Sequence, residues 1–237
     1  MTFLKTKKLK NKLKGIVKTG GRNNKGKIVS FHIGGAHKKL YRQISFQKIP
    51  VNCIVESINI DPNRTAFLAK LFSLSLKKHF YTLASSQLQK GHKFNCLKSS
   101  QLRLGSKAFL VKLPIGSKIH SISTNLRPNR SISQRAAGTF GQIVKKTLKN
   151  TLIRFSSGKL VVLDKLTFGF LGSVSNEGFQ DKRVKNAGYS RRFGVKPTTR
   201  GVAMNPVDHP HGGGEGKSSG GRPSVTPWAR PAHSKKN

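Results

Sequence analysis

The sequence predicts a mainly β protein, two small barrels or sandwiches in tandem with irregular, cation-rich segments at both ends. Three observations lead there. Short runs rich in β-branched and aromatic residues recur between residues 41 and 172, each bounded by Gly, Pro, Asn or Ser. No amphipathic stretch of roughly 10–15 residues separates them, which argues against repeated βαβ units. Outside that span the periodicity fades, and Gly, Pro and cations take over.

Residues 1–35 form a polycationic lead-in, read as an extended basic arm of the mature chain because the first 18 residues lack the Ser/Arg bias of a transit peptide. Within it Arg22, Lys25 and Lys27 are placed to meet phosphates, with glycines between them. Tyr41, Ile44 and Phe46 open the first strand cluster. Residues 51–60 follow, where Val55 begins an alternation that sets Ser57 and Asn59, polar, between Ile58 and Ile60. Asp-Pro-Asn-Arg at 61–64 is a tight turn, Pro presetting φ at its second position. Residues 65–76 and 79–83 continue as strands, and 85–106, poorer in large apolar residues, is expected to connect two modules. The second cluster comprises 107–113, 117–123, 139–144, 151–155 and 159–163, with 167–172 as a closing strand. Its clearest unit is a hairpin turning at Ser156, Ser157 and Gly158. The loop at 127–138 is too long for a plain hairpin connection. Residues 181–192 are expected to make a short basic helix.

Charge narrows the function. Forty-six Lys and Arg face seven Asp and Glu, a net +39, so the cations cannot be paired internally. Repulsion on that scale disfavours a compact state unless a polyanion neutralises it, and nucleic acid is the natural one. No apolar run approaches the roughly 18 residues of a membrane span. Cys53 and Cys96 have no paired spacing, which points to a reducing compartment rather than a disulfide or cysteine–zinc framework.

Residues 200–217 hold five glycines, two prolines and two histidines, with almost no apolar surface to offset the entropy of ordering. The expectation is that an outside partner, RNA, imposes their structure. The segment resembles a phosphate-binding loop ending at Lys217-Ser218, but that motif requires Gly where His211 stands, and a buried strand where Pro206 and Pro210 stand. Asp208, His209, His211 and Glu215 suggest a metal site, although a Pro between the histidines gives no regular geometry to converge both rings. Acid–base chemistry at His209 or His211 stays open on residue type alone. Donation to a phosphate, or stacking on a base, is the commoner use of such residues beside a polyanion. The cation clusters Lys38-Lys39, Arg42, Lys145-Lys146, Arg191-Arg192, Lys196 and Arg200 lie near Tyr41, Tyr189 and Phe193, charge beside aromatic planes. Lys217, Arg222 and Arg230 add neutralisation along a Pro-stiffened path.

These motifs carry a resemblance. Gly-Gly-Arg-Asn-Asn-Lys-Gly at 20–26, His-Ile-Gly-Gly-Ala-His-Lys at 32–38, Asp-Pro-Asn-Arg at 61–64, Arg-Ala-Ala-Gly-Thr at 135–139, Met-Asn-Pro-Val-Asp-His-Pro-His-Gly-Gly-Gly-Glu-Gly at 204–216 and Val-Thr-Pro-Trp at 225–228 closely resemble the universal large-subunit ribosomal protein L2 family, in collinear order. The resemblance implies an OB-like barrel at 36–106 including its linker, an SH3-like barrel at 107–178, and irregular extensions at 1–35 and 179–237. It implies a non-enzymatic constituent of the large ribosomal subunit, supporting assembly, subunit association and the peptidyl-transferase region.

The implied partners are large-subunit rRNA, neighbouring ribosomal proteins and the small subunit across a bridge, with no membrane and no homo-oligomer. No cofactor or protein-held metal is implied beyond structural Mg²⁺ or K⁺ at an RNA interface. On the matching motifs and cation clusters, the candidate RNA-binding residues are Arg22, Lys25, Lys27, His32, His37, Lys38, Lys39, Arg42, Arg64, Arg127, Arg130, Arg135, Arg191, Arg192, Lys196, Arg200, Asn205, His209, His211, Lys217, Arg222, Trp228 and Arg230.

Departures from the pattern are Ala36 where many relatives have Gly, an unusual loop at 131–134, and a sequence that stops soon after Trp228 without a long basic tail. Enrichment in Lys, Asn, Ile, Phe and Ser suits an AT-rich organellar genome, favouring a mitochondrial ribosome over plastid or bacterial ones. An RNA-modifying or cleaving enzyme using Asp208, His209 and His211, and a general nucleic-acid packaging protein, are the rival readings.

Overall fold

A computed structural model describes residues 8–45, 52–95, 103–123, 133–183, 186–216 and 221–232. Arg127, Arg130 and Lys217, together with Cys96 and Phe46, lie outside the described residues. The chain divides into two compact units: residues 1–16 with 38–184, and residues 17–37 with 185–237.

Among the described residues, the first unit holds all the extended strands. β1 (Leu13–Gly15) pairs with β2 (Leu40–Arg42) in a small antiparallel ribbon. β3 (Asn52–Asn59), β4 (Leu68–Ser73), β5 (Lys78–Leu83) and β6 (Lys93–Asn95) form a four-stranded sheet in the order β5-β4-β3-β6. β7 (Lys107–Phe109), β8 (Lys118–Ser123), β9 (Gly141–Lys146), β10 (Asn150–Phe155), β11 (Leu160–Asp164) and β12 (Phe168–Leu171) form a six-stranded sheet in the order β11-β10-β9-β8-β12-β7. Every strand pairing among the described residues is antiparallel. The fold class is that expected, mainly β with an OB-like module followed by an SH3-like one.

Several boundaries differ from expectation for local reasons. In β3 a bulge between Val55 and Ser57 places two residues against one of β4. The face therefore shifts, so that Val55 and Ile58, three apart, meet the same core, while Ile60 is left 57% exposed. The strand expected over 65–76 is only Leu68–Ser73, because residues 74–77 turn, with Lys77 at φ 48°. Residues 85–106 are more than a connection: β6 within them pairs with β3. The run at 107–113 leaves the sheet after Phe109 and closes in a 3₁₀ turn, Leu110–Lys112. The hairpin at 156–158 forms as expected, Phe155 N–H donating to Lys159 O at 2.9 Å and Gly158 at φ +83°.

The two modules share their packing. Phe170 of β12 joins Cys53, Val55, Ala69, Leu71, Ala84 and Leu88 of the first module, and Val174 joins Ala66, Leu68, Tyr81 and Leu83. Burying such side chains is worth about 1.5–3 kcal/mol each, so separating the modules would expose a substantial apolar surface. His120, fully buried on β8, reaches across to Ser85 with Nε2 2.7 Å from the hydroxyl, while its Nδ1 lies 3.0 Å from Ser121 Oγ. Burial holds its pKa down at about 3, and its ring stacks on Phe170 at 5.5 Å.

Among its described residues the second unit has isolated bridges and 3₁₀ turns in place of a sheet. The helix expected at 181–192 is a 3₁₀ turn at Ala187–Phe193, ended by Gly194 at φ +92°. No helix among the described residues is long and apolar enough to cross a membrane.

Candidate nucleic-acid interface

The lead-in, expected to be extended, folds back on itself. Gly21 O accepts the N–H groups of both Val29 and Ser30, at 2.9 and 3.1 Å, and Arg22 bridges to Ile28. Asn23 Oδ1 accepts the N–H groups of Lys25 and Lys27, each at 3.0 Å, fixing the turn between them. A Cβ on Gly21 would lie 2.0 Å from Ser30 O, so no other residue fits. Arg22, Lys25 and Lys27 are left exposed around this turn.

Residues 32–37 are tied to the C-terminal segment. Lys196 N–H donates to His32 O at 2.8 Å, Gly34 N–H to Gly194 O at 2.9 Å, and His37 N–H to Arg192 O at 3.4 Å. His32 Nδ1 lies 2.8 Å from Pro197 O; since a carbonyl only accepts, that nitrogen carries the proton. The Ala36 methyl sits where a Cβ on Gly194 would come within 2.8 Å, so the two positions are coupled: Ala is tolerated at 36 because 194 is Gly.

The 200–216 segment, expected to depend on an outside partner for its shape, makes its own contacts. Asn205 O accepts from Asp208 N–H at 3.0 Å and His209 N–H at 3.3 Å. His209 O accepts from Gly212 N–H at 2.9 Å, and Met204 O from Gly213 N–H at 3.1 Å. The glycines serve this internal closeness. A Cβ on Gly212 would lie 2.3 Å from Asn205 O, one on Gly213 2.8 Å from Pro206 Cγ, and one on Gly201 2.5 Å from the His209 ring. Internal packing by itself therefore calls for glycine at these three positions.

His209 is 8% exposed, packed on Gly201, and meets His211 edge to face with ring centroids 5.0 Å apart. Its Nδ1 accepts His211 N–H at 3.0 Å, and His211 Nε2 accepts Val225 N–H at 3.3 Å. Both bonds need an unprotonated nitrogen, leaving His209 Nε2 and His211 Nδ1 as the donors. No group of three or more metal-ligating side chains occurs among the described residues.

The candidate residues thus separate. Arg22, Lys25, Lys27, His32, His37, Arg191, Arg192, Lys196, Arg200, Asn205, His209, His211, Arg222, Trp228 and Arg230 lie in the second unit, the cations among them exposed. Lys38, Lys39, Arg42, Arg64 and Arg135 lie in the first. Lys38 and Arg135 are exposed and Lys39 half-buried. Arg42 is buried, its guanidinium 2.9 Å from Asp61, and Arg64 Nε is 2.7 Å from the other carboxylate oxygen. Arg42 is therefore an internal cation rather than a surface one. Sequence reasoning missed this triad, although Asp61 was one of only seven acids and so a scarce internal partner. It also passed over His120 and Phe31, for which composition offered no signal.

Comparison with known proteins covers both units. Residues 9–96 match the family model described as Ribosomal Proteins L2, RNA binding N-terminal domain, and residues 103–229 match Ribosomal Proteins L2, C-terminal domain. Relatives called large ribosomal subunit protein uL2 in Rickettsia peacockii (strain Rustic), Rickettsia massiliae (strain Mtu5) and Rickettsia akari (strain Hartford) are 46%, 45% and 44% identical over 237 residues, covering 98% of this chain and 85% of theirs.

Proposed function

The chain belongs to the ribosomal protein L2 family, and from that premise we propose that it is a structural constituent of the large ribosomal subunit, bound to large-subunit rRNA. The observation that carries this is the collinear match through both family domains, in a chain whose +39 charge needs a polyanion. Its immediate partners are rRNA and neighbouring ribosomal proteins.

The finer reading is that the exposed cations among the described residues of 17–37 and 186–232 lie on phosphates, while His209 Nε2 and His211 Nδ1 donate to RNA oxygens. Lys38 and Arg135 extend the phosphate contacts from the OB-like and SH3-like modules, whose proposed spans are 36–106 and 107–178, between extensions at 1–35 and 179–237. The protein supports the peptidyl-transferase region and the contact with the small subunit without performing chemistry. In favour of a non-catalytic role, His209 Nδ1 and His211 Nε2 are already taken by backbone N–H groups. The bias towards Lys, Asn, Ile, Phe and Ser supports a mitochondrial ribosome, and the bacterial relatives make a bacterial one the second reading.

Sedimentation tests the main claim: the native protein travels with large subunits in moderate salt, and its absence from them would refute the proposal. Fractionation of the source cells distinguishes the mitochondrial matrix from other compartments. His209→Gln with His211→Gln should leave peptide-bond formation measurable in reconstituted subunits; complete loss with normal assembly would restore a catalytic reading.

A further inference from the structure

Two large aromatic side chains stand exposed and together in the second unit. Trp228 is 66% exposed and Phe31 51%, and their ring centroids are 6.1 Å apart at 55°. The arrangement is held from both sides. Trp228 occupies a tight turn in which Ala229 N–H donates to Thr226 O at 2.9 Å and Arg230 N–H to Thr226 Oγ1 at 3.2 Å. Thr226 N–H donates to Arg230 O at 2.7 Å, and Ala229 takes φ 59° to complete the reversal. Phe31 precedes His32, whose ring centroid is 6.4 Å from that of Phe31 and whose Nδ1–H is fixed on Pro197 O.

Exposing two such rings costs apolar hydration, and neither contributes to a core cluster. Arg230, two residues after Trp228 in the same turn, is exposed, in a chain of charge +39. Exposed rings fixed in place beside cations suit an unpaired base, whose flat face stacks on an aromatic ring while the neighbouring phosphate meets the cation. We propose that Phe31 and Trp228 form a stacking site for an unpaired nucleobase of the bound RNA. This rests on the RNA-binding function proposed above, and adds to it a contact that reads bases rather than phosphates.

Trp228 is the chain's sole tryptophan, so its fluorescence reports the site directly. The full-length protein is titrated with a single-stranded oligoribonucleotide and with an abasic strand of equal length, following emission and, separately, filter retention. Stacking predicts that the base-bearing strand quenches Trp228 and binds about tenfold more tightly than the abasic one. Phe31→Ala and Trp228→Ala should each remove most of that difference by weakening the base-bearing strand more than the abasic one, and Trp228→Phe should keep it. Retention of both strands with equal quenching, or no loss of base preference in Phe31→Ala and Trp228→Ala, overturns the stacking site alone. Retention of neither strand overturns it together with RNA binding.

Discussion

His209 Nδ1 accepts the backbone N–H of His211 at 3.0 Å, so the first histidine of the Pro-punctuated motif shapes the second. The bond turns the ring to lie on Gly201 and leaves Nε2 as the donor. A segment with little apolar surface thereby presents a defined pair of imidazoles, ready before a partner arrives. Preorganisation of this kind lowers the entropy lost on binding.

The glycines of this motif should be unequal. Gly212→Ala drives a methyl into Asn205 O and should cost the local structure about 1–3 kcal/mol, read as faster proteolytic cleavage within 200–216 and loss of incorporation into large subunits. Gly216→Ala meets no atom within 4 Å, though its φ of +62° strains an L residue, and should cost only about 1–2 kcal/mol through that strain. Equal proteolysis of the two variants would mean that the contacts at Gly212 do not order the motif.

Asp61 should matter far more than its turn position suggests. Its side chain is fully buried and serves both Arg42 and Arg64, so Asp61→Ala strands a buried guanidinium. Breaking such a pair costs about 3–5 kcal/mol, which denaturant unfolding of the full chain would register. Added salt should restore little, because buried charges are weakly screened.

His120 predicts a pH dependence with a definite sign. Its folded pKa is lowered from 6.5 to about 3 by burial, so below 6.5 the unfolded chain binds a proton that the folded chain refuses. Stability should therefore be full above pH 6.5 and fall as pH drops towards 3, by at most about 1.4 kcal/mol per pH unit from this group. A His120→Gln chain should lose that component, seen as a flatter plot of urea midpoint against pH relative to the parent.

Salt dependence of RNA binding should separate the cations by burial. Arg191→Ala and Arg192→Ala each remove an exposed charge from the second unit, and every phosphate deprived of its cation should flatten log K against log salt by about 0.7–0.9. Arg42→Met should leave the slope unchanged while lowering stability, since that charge is spent on Asp61. An equal slope change for Arg42 would place it on RNA after all.

Much of this protein is written locally. The strand clusters, the Ser156 to Gly158 hairpin and the unmatched +39 charge follow from side-chain alternation, turn residues and simple counting, each a property of neighbours in sequence. The string at 204–216 identifies the family without reference to a fold.

The tertiary structure decided matters that depend on partners far apart in sequence. It committed Arg42 to Asp61, 19 residues away, set His120 against Ser85, 35 away, and brought Phe31 against Trp228. It also gave Gly201, Gly212 and Gly213 an internal reason, because only folded coordinates reveal which atom a missing Cβ makes room for. Composition supplies cations and rings in number. Long-range packing selects which are buried against a partner and which are left facing outward.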